Sequence, residues 1–448
     1  MNLENIAAIS TAFGTAGISV IRISGSTAIS EFNKIFKGKD LTKVKSHTVH
    51  YGHVLSDDFS HLDEVMVTIM KAPKTFTAED TVEVSTHGGI LITQKVLDRI
   101  LDLDIRLAEP GEFSERAYLN GRIDLVEAES IMDLIHAKSE KALKIANLGI
   151  QKETSKLIRD LRAKLLTIIA QIEVNIDYPE YDDAIQMSRE IIKPKTESLI
   201  EEIDLILKES EKNQLIRDGV KTVIVGKPNV GKSSLLNALL NEEKAIVTDI
   251  EGTTRDTIEA YINISGVTLK LIDTAGIRET EDVVEKIGVN RSKKAILDAE
   301  LILLVLDQSK ALSKEDKDLL ELTKHNRRLI IGNKSDLPKA LQLEEILEIS
   351  TITKEGLKDL EKAILKLLSL EDIDSRDFNY LSNVRHIQKV KEAKTSLNNV
   401  LTSINLEMPV DVYAIDLTQA WKSLGEILGE YYQDDLLNEL FSKFCLGK

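Results

Sequence analysis

Three short runs in the 448-residue chain have the residue types and spacing to hold a nucleotide. The first, Gly226-Lys227-Pro228-Asn229-Val230-Gly231-Lys232-Ser233, follows the β-branched stretch Lys221–Val225 and precedes Ser234–Leu240, which reads as a helix. This is G-x-x-x-x-G-K-S in a strand–loop–helix setting. The glycines let backbone N–H groups converge on phosphate oxygens, at a helix N-terminus whose partial positive charge favours anions. Lys232 is then placed for the β- and γ-phosphates and the Ser233 hydroxyl for Mg²⁺.

The second run, Asp273-Thr274-Ala275-Gly276, ends the apolar stretch Leu269–Ile272. Its aspartate can hold Mg²⁺ through water and Gly276 can offer an amide N–H to a γ-phosphate. The third, Gly332-Asn333-Lys334-Ser335-Asp336, ends the apolar stretch Leu329–Ile331. An Asp carboxylate there accepts two hydrogen bonds from the N1–H and N2–H₂ edge of guanine, which adenine does not offer. Either of these two later runs alone reads best as a surface turn. All three in order after apolar strands point to a Mg·GTP site. Ile277 stands where Ras-type enzymes carry the glutamine that orients the attacking water, so another group must do so, and the acidic stretch Glu279–Glu285 offers candidates. Thr248–Asp256, containing Gly252-Thr253-Thr254, lies where a magnesium-coordinating switch threonine is expected.

The elements that must position these groups fall into three textures. Residues 1–118 alternate short β-like runs (Ile18–Ile23, Thr48–Leu55, Glu64–Lys71, Thr81–Ser85) with turns, and Ile90–Leu103 reads as a helix. No glycine lies between Gly149 and Gly219 or between Gly356 and Gly425, and Leu157, Leu161, Leu165 and Ile168 have one-face helical spacing. Residues 216–371 alternate strands and helices in the βαβ manner. The chain therefore reads as a multidomain α/β plus α protein. It has an N-terminal α+β domain (1–118), a helical-bundle domain split in sequence (119–215 and 372–448), and a Ras-like P-loop domain (216–371) inserted into it.

Hydrophobic residues are 42% and charged residues 29%, a globular composition. No apolar run reaches the roughly 18 residues of a membrane span. No basic residue precedes Arg22, which fits neither a secretory signal nor an Arg-rich transit peptide, and cytoplasmic residence is the expectation. The single cysteine, Cys445, excludes an internal disulfide framework. A net charge of −16 argues against broad nucleic-acid binding, which needs a basic face, while leaving room for a local basic patch.

Val247–Asp256, with Asn229 in the phosphate loop, resembles the TrmE/Era group of GTPases. Val20–Gly25, His87-Gly88-Gly89, Glu109–Asp124 and the ending Phe444-Cys445-Leu446-Gly447-Lys448 narrow the resemblance to the MnmE/TrmE family of tRNA modification GTPases, over essentially the whole chain. That resemblance implies an N-terminal domain that binds a tetrahydrofolate derivative (5-formyl or methylene form) and forms a homodimer. It further implies a flavin-using partner of the MnmG/GidA type in a heterotetramer or larger assembly. The joint product would be tRNA carrying a (carboxymethyl)aminomethyl group at C5 of the wobble uridine. Paired GTPase domains would use K⁺ in place of an arginine finger.

Carried over by motif, the GTP contacts would be Asn229, Val230, Gly231, Lys232, Ser233, Ser234, Thr248, Thr253, Thr254, Asp273, Thr274, Ala275, Gly276, Asn333, Lys334, Asp336 and Ser350. Ser233 and Thr254 would hold Mg²⁺; Asn229, Thr248, Ile250 and Thr253 would hold K⁺. Glu285 would orient the water beside the catalytic Lys232. Arg22, Glu83, Arg122 and Lys448 would bind folate, with Cys445 nearby. Arg22 interrupts an apolar strand and needs an anionic or hydrogen-bonding partner. Glu83 lies opposite the face shared by Val82 and Val84. Position 122 is often lysine in the family, and Ser350-Thr351-Ile352 departs from its usual Ser-Ala-Lys or Ser-Ala-Arg.

Overall fold

The computed structural model describes residues 4–177, 188–240, 260–272, 295–370, 381–431, 434–444 and 447. The chain divides into two compact units, Met1–Met132 with Gly425–Lys448, and Asp133–Leu424.

The first unit is built on a seven-stranded sheet in the order β3-β4-β5-β6-β2-β1-β7. Its strands are β1 (Asn5–Ile9), β2 (Ile18–Ser24), β3 (Phe36–Gly38), β4 (Thr48–Leu55), β5 (His61–Met70), β6 (Thr81–His87) and β7 (Ile105–Leu107). All pairings are antiparallel except β1 with β7. Val65, Val67 and Ile69 of β5 alternate inward against Val82 and Val84 of β6. Helices α1 (Ala28–Asn33) and α2 (Ile90–Leu101) add Ile29, Phe32, Val96 and Ile100 to that core. The period-two pattern is what a sheet with one covered face selects. Helices α3 (Glu112–Leu119), α4 (Leu125–His136) and α13 (Asp434–Phe441) form a smaller cluster in which Ala117, Leu125 and Phe441 are buried.

The second unit holds a six-stranded sheet, β13-β12-β11-β8-β10-β9, parallel except for the β9–β10 hairpin. Its strands are β8 (Val220–Val225), β9 (Ala260–Ile264), β10 (Val267–Leu271), β11 (Leu301–Asp307), β12 (Arg328–Asn333) and β13 (Leu347–Glu348). Every residue of β11 is buried, so its sequence is a continuous apolar run up to Asp307.

Among the described residues, the α-helices here are α5 (Glu140–Ile150), α6 (Glu153–Asp177), α7 (Lys193–Asp218), α8 (Lys232–Leu240), α9 (Lys314–Leu322), α10 (Leu357–Leu367), α11 (Val384–Asn405) and α12 (Val410–Leu428), the last crossing the unit boundary at Leu424. Pro194 lies in the first turn of α7, where a missing N–H is tolerated. Its buried stripe Leu199, Ile203, Ile206, Asn213 and Ile216 keeps helical period, as does Val390, Ala393, Leu397, Val400 and Ile404 on α11. On α6 the face differs slightly from the sequence expectation. Leu161, Leu165 and Ile168 are buried, but Ile158, not Leu157, completes the stripe. Both spacings are helical, and the branched neighbour takes the inner position.

Candidate functional site

The phosphate loop leaves the C-terminal end of β8 and runs into α8, whose first turn carries Lys232 and Ser233. Gly231 adopts φ +98, and a Cβ there would fall 2.1 Å from Asn333 Nδ2, so only glycine lets the two loops meet. Asn333 donates through that nitrogen to the Val230 carbonyl at 2.9 Å and accepts from the Thr351 N–H at 3.2 Å. One side chain thereby ties the Gly226–Ser233 loop to both the Asn333–Asp336 run and the Ser350–Thr351 turn. Val230 is buried, while Asn229, Ser233 and Ser234 are exposed.

Lys232 Nζ donates to the carbonyls of Gly226 (2.7 Å) and Lys227 (2.9 Å), and burial lowers its pKa. Among the described residues the ammonium is held at the mouth of the loop by neutral acceptors, an arrangement a phosphate anion would improve. Ser350, fully buried, donates to Asp336 Oδ1 at 2.6 Å and accepts from the backbone N–H groups of Ile352 and Thr353. That fixes one oxygen of an exposed carboxylate and leaves the other free for a donor edge.

Two carboxylates absent from the sequence reading support this site. Asp307, at the end of β11, accepts from Lys334 Nζ at 2.7 Å and from Ser309 Oγ at 2.6 Å. Asp316, in a capping box with Ser313 at the start of α9, accepts from Lys227 Nζ at 2.7 Å. Burial pushes both carboxyls up, but the lysine and serine donors outweigh it and hold them below the usual range. The stabilisation from each is therefore complete above the ordinary value near 3.8 and lost as pH falls below it. These partners lie 27 and 89 residues apart in sequence, beyond any local pattern.

A second constellation lies in the first unit. Arg22 and Glu83 face each other across β2 and β6, Nη2 to Oε1 at 2.8 Å, with side chains 20% and 26% exposed. Glu83 is thus the anionic partner that Arg22 required. Arg22 also donates to the Gly447 carbonyl at 3.4 Å, as does Ser10 Oγ at 3.2 Å. Gly447 has φ +87 and sits against Ile9, where a Cβ would fall 2.5 Å from the Ile9 carbonyl oxygen. The end of the chain is thereby seated beside the Arg22–Glu83 pair. Arg122 is exposed.

The run Glu109–Asp124 has a structural explanation. Arg116, with a side chain 2% exposed, donates to Glu112 at 2.8 Å and to Glu79 at 3.2 Å. Glu112 in turn binds Arg106 and caps the Glu109 N–H. Asn120 donates to the Thr77 carbonyl at 2.7 Å. A buried charge survives only with partners of this kind.

Thr248, Ile250, Thr253, Thr254, Asp273, Thr274, Ala275, Gly276, Ile277, Glu285, Cys445 and Lys448 lie outside the described residues. Among the described residues no helix is long and apolar enough to cross a membrane.

Two family descriptions match the chain: "GTP-binding protein TrmE N-terminus" over residues 5–122 and "MnmE helical domain" over residues 125–445. The curated relatives it resembles include proteins named tRNA modification GTPase MnmE. The one from Acholeplasma laidlawii is 66% identical and the one from Aster yellows witches'-broom phytoplasma 55%, in both cases with 100% of each chain covered. That from Bacillus mycoides is 50% identical, again over 100% of both chains.

Proposed function

The chain belongs to the MnmE family of tRNA modification GTPases, and on that premise we propose how its two sites divide the work. It is the GTP-hydrolysing component of a complex that installs a (carboxymethyl)aminomethyl group at C5 of the wobble uridine of tRNA, using a tetrahydrofolate one-carbon unit. It works as a homodimer in the cytoplasm with a flavin-using partner of the MnmG/GidA type. The observation that carries the nucleotide half is the junction of Gly231, Asn333 and Ser350, which brings the candidate phosphate and base loops together at the C-terminal ends of the strands.

GTP would lie with its phosphates on the amides of Asn229–Ser234, and Lys232 would exchange carbonyl partners for phosphate oxygens. The free oxygen of Asp336 would accept from the guanine edge. Ser233 and Thr254 would hold Mg²⁺, which neutralises charge on the phosphates. Asn229, Thr248, Ile250 and Thr253 would hold K⁺, supplying the positive charge that other GTPases take from an arginine. Glu285 would orient the water.

In the first unit, the partly exposed Glu83 carboxylate keeps acceptor capacity beyond its bond to Arg22, which suits the amino and N–H groups of a pterin. Arg122 and Lys448 would meet the anionic end of the folate.

The test is calorimetry with 5-formyltetrahydrofolate on the whole chain, together with tRNA nucleoside analysis of a deletion strain. Folate binding and loss of the modified wobble uridine are expected. GTP binding without folate binding would reduce the protein to a switch of the Era type. Equal hydrolysis rates in K⁺ and Na⁺ would remove the cation proposal.

A further inference from the structure

β11 is apolar along its whole buried length and ends on one charged residue, Asp307. A carboxylate in that position is costly unless its oxygens are taken. They are taken asymmetrically. Oδ1 accepts from the Ser309 N–H (3.1 Å) and Oγ (2.6 Å), which locks the orientation of the group. Oδ2 accepts from Lys334 Nζ at 2.7 Å, with the more exposed Lys310 Nζ farther off at 3.8 Å. The same ammonium also donates to the Asn229 carbonyl in the phosphate loop at 3.0 Å. Lys334 itself has φ +68, a left-handed backbone that a lysine adopts only when its surroundings dictate it. Asn229, at the other end of the link, has φ +62.

These facts form a chain from Ser309 through Asp307 and Lys334 to the phosphate loop. The Lys334 methylenes are stretched between the loop carrying Asp336 and the loop that cradles phosphate. We propose that Asp307 is a positioning residue for the guanine nucleotide. Its carboxylate pins the lysine ammonium, so that the side chain forms a pre-set wall for the purine ring. This rests on the reading of Asn333–Asp336 as the base-recognition loop. The nucleotide then does not have to order the lysine on binding, and the gain appears as a slower release.

The test uses the full-length chain and a fluorescent GDP analogue, with Asp307→Ala, Asp307→Asn, Lys334→Met, Asp336→Asn and the double variant Asp307→Ala/Lys334→Met. Asp307→Ala is expected to weaken binding about 10–100-fold, mainly through faster dissociation, with kcat at saturating GTP nearly unchanged. Asp307→Asn, which keeps an acceptor and the shape, should fall between wild type and Asp307→Ala, and serves alone if the alanine variant does not fold. The decisive reading is the double variant, which should bind no more weakly than Lys334→Met by itself, because Asp307 acts only through that lysine.

Losses that add in full, or an Asp307→Asn variant with wild-type dissociation, would overturn the proposal while leaving the loop assignment standing. Wild-type affinity in both Lys334→Met and Asp336→Asn would instead overturn the base-recognition reading and this proposal with it.

Discussion

In the six-stranded sheet β11 is buried at all seven positions, whereas β4 and β5 of the seven-stranded sheet leave Val49, Tyr51 and Met66 facing outward. A parallel sheet covered on both faces has no room for polar chemistry along its strands, so that chemistry collects in the loops at their C-terminal ends. Gly226–Ser233 and Asn333–Asp336 are such loops, each a contiguous run. An antiparallel sheet with an open face can use single side chains from neighbouring strands. Arg22 and Glu83 meet that way, 61 residues apart in sequence. One site is written as motifs and the other as isolated letters.

If the two sites are built on these separate logics, damage to one should leave the other's ligand affinity intact. The largest effect is expected from Asp336→Asn, which replaces two charge-assisted acceptances by a poor match. GTP affinity should fall about 10²–10⁴-fold by fluorescence titration, with folate affinity unchanged. Normal GTP binding by this variant would end the guanine assignment.

Next, Arg116→Met leaves Glu112 and Glu79 without their buried partner and should destabilise the first unit by about 3–5 kcal/mol. Hydrogen exchange should quicken in β2 and β6 while the nucleotide site keeps its affinity. Protection unchanged in those strands would mean that the network does not hold the unit together.

Glu83→Gln should weaken folate binding about 10–100-fold and leave GTP turnover in the absence of folate untouched. An unchanged calorimetric titration would show that the pair with Arg22 is structural only.

The smallest effect concerns His87, whose Nδ1 lies 2.7 Å from Asp63; that hydrogen bond raises its pKa above 6.5. The stabilisation is complete below 6.5 and is lost as pH rises through the raised value. An NMR titration should place the imidazole above 6.5, and Asp63→Asn should bring it back. No difference between the two would remove the link.

The contrast also explains what the sequence could reveal. The strand–loop–helix at Gly226–Ser233 was legible because Gly226 and Gly231, in one short run between a strand and a helix, dictate its backbone geometry. Asp336 was legible for the same reason, as part of a fixed run after β12. Asp307 and Asp316 were not, since each acts on a lysine far off in the chain and nothing local marks it. The Glu109–Asp124 run stood out only as a family signature, and its reason, the burial of Arg116 between two glutamates, is visible only in three dimensions. The helical stripes of α7 and α11 followed from period alone. On α6 period could not choose between Leu157 and Ile158, which differ by 100° around the helix at the edge of the buried stripe.

The seat of Gly447 against Ile9 has a consequence for biosynthesis. The first unit is made of residues 1–132 and 425–448, so a ribosome releases most of its sheet long before its last pieces exist. At about 5–20 residues per second, the intervening residues 133–424 take roughly 15–60 s to make. Through that interval the Arg22–Glu83 pair lacks its Gly447 neighbour, and Ala117 and Leu125 lack Leu437 and Phe441, while the nucleotide-binding sheet can already fold around its own core. The surroundings of the Arg22–Glu83 pair are therefore the last part of the first unit to mature, and loss of residues 425–448 would leave that unit unfinished while the nucleotide-binding sheet keeps all of its strands.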